Sequence, residues 1–199
     1  MGTTDNLKYT SAPIPEFRKF GRIPRLYREC IVTEKIDGTN AVIHIDDDGN
    51  LTAGSRNRWL TVNEDNFGFA KWVEENRIEL RKLGPGYHYG EWFGKGIQRG
   101  YGLSDKKFAL FNVSRWKYPR YELVIDEAEE CPACCMTVPI LYIGKFFEGV
   151  GHDVLKALMV LGSVAVPGYN KPEGVVIYHT AAKQLFKTTF ENDDTGKEG

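Results

Sequence analysis

Val32-Thr33-Glu34-Lys35-Ile36-Asp37-Gly38-Thr39-Asn40 is the stretch on which the reading of this chain turns. The β-branched run from Cys30 to Ile36 predicts a strand, and Gly38 lets the backbone turn tightly after it. Lys35 then sits at a strand end, with Asp37 two residues on and on the same face by the strand period. A free lysine titrates near about 10.4 and is almost wholly protonated at neutral pH. A nucleophilic lysine needs its ammonium destabilised by burial or by nearby cations. A strand end opening into a pocket for a phosphate-bearing ligand supplies both. An exposed strand lysine is the commoner fate of one lysine, so the remaining segments decide the matter.

Outward from that stretch, Asn40 to Ile45 reads as a second strand. Asp46-Asp47-Asp48-Gly49-Asn50 is a hairpin turn, and Leu51 to Ser55 is the returning strand. Phe69, Trp72, Val73, Leu80 and Leu83 fit one face of a helix that stops at Gly84-Pro85. Tyr87 to Trp92, Phe108 to Val113 and Met136 to Tyr142 read as strands. Asp153 can cap a helix through Leu161. Gly174 to Tyr178 and Leu185 to Phe190 read as a closing antiparallel pair. Strands dominate, with helices between hairpins, so the predicted class is α+β and not a regular βαβ alternation. The lead-in to about Glu29, with Pro13, Pro15 and Pro24, reads as irregular, and the polar tail Glu191 to Gly199 as frayed.

The chain has 199 residues, 42% of them hydrophobic and 27% charged, which suits one soluble globular domain spanning 1–199. Its formal net charge of -1 provides no global field for nucleic acid, so any such contact needs a local patch. Arg18, Lys19, Arg22, Arg25 and Arg28 form one basic stretch. Lys95, Arg99, Lys106, Lys107, Arg115, Lys117 and Arg120 form another, interleaved with Trp and Tyr. The start lacks a basic n-region and an apolar h-region, and no apolar run approaches membrane-spanning length, so a cytoplasmic protein with reduced thiols and no membrane partner is expected. Cys131, Cys134 and Cys135 with a distant His152 lack the second close pair that structural zinc usually uses. No Walker-type phosphate loop and no His-Glu-x-x-His is present.

Five further segments carry candidate chemistry. Gly54-Ser55-Arg56-Asn57-Arg58 offers guanidinium forks that match phosphate oxygens. Tyr89-Gly90-Glu91-Trp92 puts a carboxylate at a strand end, and Phe108 to Val113 offers the aromatic Phe111. Pro172-Glu173-Gly174-Val175-Val176-Ile177 and Leu185-Phe186-Lys187-Thr188-Thr189 add a carboxylate and a lysine. In this order and spacing, from Thr33 to Thr189, the segments resemble the motifs of the ATP-dependent RNA ligases of the covalent nucleotidyltransferase superfamily, whose first motif reads Lys-x-Asp-Gly.

That resemblance implies a nucleotidyltransferase fold (an ATP-grasp-like ligase core) with antiparallel sheets flanked by helices. Such ligases generally add a second domain, often an OB-fold, but about ten residues follow the last motif, too few for one, so no OB domain is expected. It implies that Lys35 attacks the α-phosphorus of ATP, expels pyrophosphate and becomes lysyl–AMP. AMP then passes to an RNA 5′-phosphate, and a 3′-hydroxyl displaces it. Asp37 and Asn40 are implied to help position a metal and its waters, Arg56 to contact phosphate with Arg58 as an alternate, and Glu91 to hold the ribose. Phe111 is implied to stack on adenine, Glu173 to associate with Mg²⁺ or Mn²⁺, and Lys187 to stabilise the α-phosphate. Glu34 and Lys183 complete the nucleotide-binding candidates. Asn at position 40, where DNA ligases and capping enzymes usually carry Arg, favours RNA ligation over nick sealing in DNA or capping; a non-catalytic module that binds nucleic-acid ends is the other alternative. The sequence departs from the pattern at Thr189, where many ligases place a second lysine, and Lys183 on the same strand face as Lys187 is the expected substitute. The small size resembles phage-encoded ligases acting in RNA repair. A monomer is expected, with a separate substrate-binding partner as one way to make up for the missing OB domain.

Overall fold

The computed structural model describes residues 15–117, 125 and 127–191. Strands β1 (Glu29–Lys35), β2 (Thr39–Ile45) and β3 (Leu51–Ser55) come first, then helices α1 (Phe69–Glu75) and α2 (Arg77–Leu80) with a 3-10 turn at Arg81–Leu83. β4 (Gly86–Gly94), β5 (Lys106–Leu110), β6 (Trp116–Lys117), β7 (Glu129–Glu130), β8 (Cys135–Thr137) and β9 (Ile140–Lys145) follow. Helix α3 (Val150–Leu161) then precedes β10 (Gly174–His179) and β11 (Gln184–Thr189). The class is α+β. One sheet has the order β11-β10-β1-β9 and is antiparallel throughout; a second has the order β3-β2-β4-β5-β8, antiparallel except for β5 with β8. A short parallel pair, β6 with β7, lies apart.

Strand alternation sorts the apolar side chains into layers. Ile43, Ile45, Trp92, Phe108 and Leu110 turn one face of the five-stranded sheet onto Phe69, Val73, Leu80 and Leu83 of the first helices. Phe93, Ala109 and Met136 on the opposite face pack with Ile36, Val138 and Ile140, so the second core lies between the sheets. Cys30, Val32, Val175 and Ile177 pack beneath Val150, Leu155 and Leu158 of α3. Lys35 belongs to the inter-sheet face of β1, and Glu34 to the α3 face.

The β2–β3 hairpin forms as predicted, because Asp46 Oδ1 accepts from the N–H groups of Asp48 and Asn50 and Gly49 takes φ 79°. The predicted single helix over Phe69 to Leu83 is interrupted at Asn76, whose φ of −109° leaves the helical region. Helix α3 starts at Val150 from a left-handed Gly149, so Asp153 lies in its first turn and is not its cap. The predicted strand Met136 to Tyr142 is two strands in two sheets. Val138 N–H still donates to Leu110 of the five-stranded sheet, whereas the carbonyl of Pro139, which has no N–H, accepts from Glu34 of the other. Phe108 to Val113 ends as a strand at Leu110, where Asn112 accepts from Ser114 and Arg115 and turns the chain. Among the described residues no helix is long and apolar enough to cross a membrane.

Candidate active site

The antiparallel register of β1 with β10 sets Lys35 opposite Gly174 and brings Glu173 beside it from 138 residues away in sequence. Lys35 Nζ donates to Glu173 Oε1 at 2.5 Å, with the two side chains 25% and 18% exposed. The other carboxylate oxygen of Glu173 is buried and has no hydrogen-bond partner among the described residues. A buried carboxylate oxygen left without a donor is costly unless a cation or water meets it.

Across the cleft, β2 pairs Asn40 with Glu91 of β4. Asn40 Nδ2 donates to Glu91 Oε2 and Gly38 N–H donates to Glu91 Oε1, both at 3.1 Å. This geometry explains the glycine. Gly38 is not in the left-handed region; a Cβ there would overlap the carbonyl oxygen of Trp92 and lie 2.8 Å from Phe93 Cβ. Close approach of two backbones, not turn conformation, excludes a side chain at 38.

Burial pushes the Glu91 carboxyl up to about 7, against the pull of Lys35 and of the Gly38 N–H, with the Glu173 and Asp37 carboxylates adding to the rise. A carboxyl whose folded value is raised binds its proton more tightly when folded, so stability falls as pH rises from about 4.5 to about 7 and is level above that. Glu91→Gln removes this loss. Thermal or denaturant unfolding of the nucleotide-free protein should show the variant gaining on wild type by roughly 3 kcal/mol across that window. A constant difference from pH 4.5 to 7 would contradict the burial of an ionised Glu91.

Asp37 leaves the strand end with its N–H donating to the Tyr101 hydroxyl at 2.7 Å, and its Oδ2 lies 2.9 Å from Arg99 Nε. Tyr101 is buried at φ 54° in the glycine-rich link between β4 and β5, against Phe93 and Tyr169. Neither Arg99 nor Tyr101 was a site candidate from sequence. Arg99 was visible only as one member of the second basic stretch.

That stretch does not form a continuous patch. Lys106 donates to the Phe67 carbonyl, Arg115 donates to Leu83 and lies 4.5 Å over the Trp116 ring, and Lys117 pairs with Glu130. Arg120 lies outside the described residues. The first stretch, Arg18 to Arg28, is exposed throughout.

Lys187 pairs with Val176, which pairs with Thr33, so it shares the face of Lys35 one row away. Thr189 lies in the row of Lys35 and Gly174 itself. Phe111, just past β5, is 42% exposed, and its N–H donates to Tyr89 on the face that carries Glu91. Arg56 is exposed in the bend after β3, beyond the Ala41–Ser55 pair and therefore at the Asn40 end of the sheet. Arg58 is occupied in holding the carbonyls of Trp59, Glu64 and Asp65.

Two expectations are corrected. Glu34, 1% exposed, does not face the cleft. Its carboxylate accepts from Ser163 Oγ at 2.5 Å and from the N–H groups of Val164 and Ala165 at 2.8 Å. It is a clasp between β1 and the segment after α3, as strand alternation from Lys35 requires. Lys183 is not on the strand face of Lys187. It sits at φ 53° in the turn before β11, six residues and roughly 20 Å along the chain from the Thr189 row.

Among the described residues no three metal-ligating side chains converge. A hard divalent cation still fits, since Mg²⁺ is usually held by one or two carboxylates plus phosphates and keeps several waters, and the unpartnered oxygen of Glu173 offers one such ligand. The three neighbouring thiols pack against the helix-side core, with Cys134 Sγ 3.9 Å from Cys135 Sγ.

A model of the RNA ligase family matches residues 28–191, the span that holds every residue of this cleft. The chain belongs to the RNA ligase family. Solved structures of a Naegleria gruberi RNA ligase resemble this family member in fold. A variant with ATP and Mn is 20% identical, with 83% of this chain and 51% of that one covered at a TM-score of 0.55. A variant with AMP and Mn is 21% identical, with 82% and 50% covered at 0.53. An apo variant is 22% identical, with 81% and 49% covered at 0.53. This family member spans about half the length of those structures. No curated protein matches the chain.

Proposed function

We propose that this chain is an ATP-dependent RNA ligase that works through a lysyl–AMP intermediate on a nucleotidyltransferase core. The observation that carries the reading is the meeting of Lys35 with Glu173, opposite a Glu91 already bonded to Asn40 and Gly38, in a chain of the RNA ligase family. The similar Naegleria protein, solved with ATP or AMP and Mn, supports the choice of nucleotide and of a divalent metal.

In this reading Lys35 Nζ forms a bond to the α-phosphorus as the bond to the pyrophosphate oxygen breaks. The proton that Nζ sheds has an acceptor 2.5 Å away in Glu173 Oε1. The 5′-phosphate of an RNA strand then takes AMP from the lysine. The 3′-hydroxyl of a second strand attacks that activated phosphate, and AMP leaves. Glu91 accepts from the ribose hydroxyls, Phe111 stacks on the base, and Arg56 and Lys187 face the phosphates. Glu173, with water-mediated help from Asp37 and Asn40, would hold the divalent cation, which offsets phosphate charge.

The test is incubation with ATP labelled at the α-phosphate, Mg²⁺ and a 5′-phosphorylated RNA, followed by denaturing electrophoresis. Label that stays on the protein, moves to RNA and is released as strands join is the expected result. Protein without label and without bound AMP by mass, together with unjoined RNA, would leave a module that only binds RNA ends.

A further inference from the structure

We infer that Arg99 is the residue that receives the outer phosphates of ATP, exchanging Asp37 for them when the nucleotide enters. This assignment rests on the nucleotide-binding reading above. The guanidinium is held between two carboxylates, with Nε 2.9 Å from Asp37 Oδ2 and Nη2 3.7 Å from Glu191 Oε2. Nε is nonetheless buried and makes no hydrogen bond among the described residues, because the Asp37 oxygen, although close, is not in line with its N–H. A half-buried, always-charged guanidinium whose buried Nε–H is left unpaired is incompletely satisfied, and its planar fork matches phosphate oxygens better than one misaligned carboxylate.

Its position fits the outer phosphates and not the α-phosphate. Arg99 reaches the carboxylates just past the Lys35 row: Asp37 lies two residues beyond Lys35, and Glu191, whose side chain is 72% exposed, lies two residues beyond Thr189 of that row. With the ribose at Glu91 and the α-phosphorus at Lys35, the β- and γ-phosphates continue toward Arg99 and solvent, the side from which pyrophosphate must leave. Glu191 lies two residues beyond Thr189, so Arg99 also brings a cation to the end of β11 where the Lys35 row carries a neutral threonine. The link that carries Arg99 is held by specific geometry: its two neighbours in the chain at one and two residues' distance, Gln98 and Tyr101, adopt φ 44° and 54°, and the Tyr101 hydroxyl is bonded to Asp37 N–H.

The experiment measures ATP and AMP binding, each with Mg²⁺, by calorimetry in a Lys35→Ala background that cannot react. Adding Arg99→Ala should weaken ATP at least tenfold and AMP less than twofold, and Arg99→Lys should fall between for ATP because a point charge replaces the fork. Equal losses for both nucleotides would mean that Arg99 only braces Asp37, and no loss for either would remove it from the site; both overturn the assignment. Thermal melting of each variant identifies any that fails to fold, and Arg99→Lys keeps the measurement available if Arg99→Ala does. If the Lys35→Ala protein with Arg99 intact binds neither ATP nor AMP, it is the nucleotide reading itself that fails, and the Arg99 assignment with it.

Discussion

Lys35→Ala should reduce labelling of the protein by α-labelled ATP to background, a loss of at least a thousand-fold, and yet still seal RNA supplied with its 5′ end already adenylylated. Covalent catalysis consumes the lysine only in the first bond change, so nothing downstream requires its nitrogen as a nucleophile. The ion pair with Glu173 predicts what else the substitution does. With Nζ gone, Glu173 Oε1 loses its 2.5 Å donor and joins an Oε2 that has no partner among the described residues. Two unpaired carboxylate oxygens should make the sealing step of the variant more dependent on Mg²⁺ than that of wild type. Single-turnover sealing of pre-adenylylated RNA over a Mg²⁺ series reads this directly, and a rate at saturating metal within about tenfold of wild type is expected. Joining of ordinary 5′-phosphate RNA with ATP at the wild-type rate by Lys35→Ala would sink the mechanism.

The parts of this molecule that were legible in sequence are those in which the cause is local. Asp46 and Gly49 make the β2–β3 turn with their own side chain and backbone, so the hairpin could be read with its returning strand at Leu51–Ser55. Lys35, Asp37, Gly38, Asn40, Glu91 and Glu173 stood out because short motifs carry them, and the structure brings them into one cleft. What was not legible depends on pairing between distant segments. Near Met136 and Ile140, Pro139 was the one sign that the chain changes sheets between them, since a proline inside a predicted strand argues against a continuous ladder. Arg99 reaches the site because a link of left-handed residues folds back on Asp37, a conformation that no periodicity announces. Glu34 is different: alternation along β1 already put it on the face opposite Lys35, and motif adjacency should have yielded to the period of two. Lys183 was placed on the strand face of Lys187 by even spacing alone, although it precedes the strand read from Leu185; it lies in the turn at φ 53°, where the alternation does not hold.

Glu34→Ala should destabilise the fold by roughly 3–5 kcal/mol, a large part of what holds a domain of this size. The carboxylate is 1% exposed and is the shared acceptor for three donors from residues 163–165. Truncation leaves the Ser163 hydroxyl and two backbone N–H groups unpaired in a volume that also loses its filling atoms. Glu34→Gln separates these terms. Its carbonyl can still accept from Val164 and Ala165, but its amide would face the Ser163 hydroxyl, which now donates to Glu34 and already accepts from Val166 N–H. One hydrogen bond is lost and the cavity is not made, so about 1–2 kcal/mol is expected. Burial raises the Glu34 carboxyl above its ordinary value against the three hydrogen bonds, so the folded state holds that proton more tightly and wild type loses stability as pH rises above the normal glutamate range. The Glu34→Gln deficit should therefore shrink with rising pH. Urea unfolding of wild type and both variants at pH 5 and pH 8 checks the order, and a Glu34→Ala protein as stable as wild type would mean that the clasp contributes nothing. Since Lys35 is the next residue on the same strand, a loosened clasp should also slow lysyl–AMP formation in any Glu34→Ala protein that folds. Loss of stability without loss of that rate would show that the nucleophile is placed by β10 and Glu173 alone.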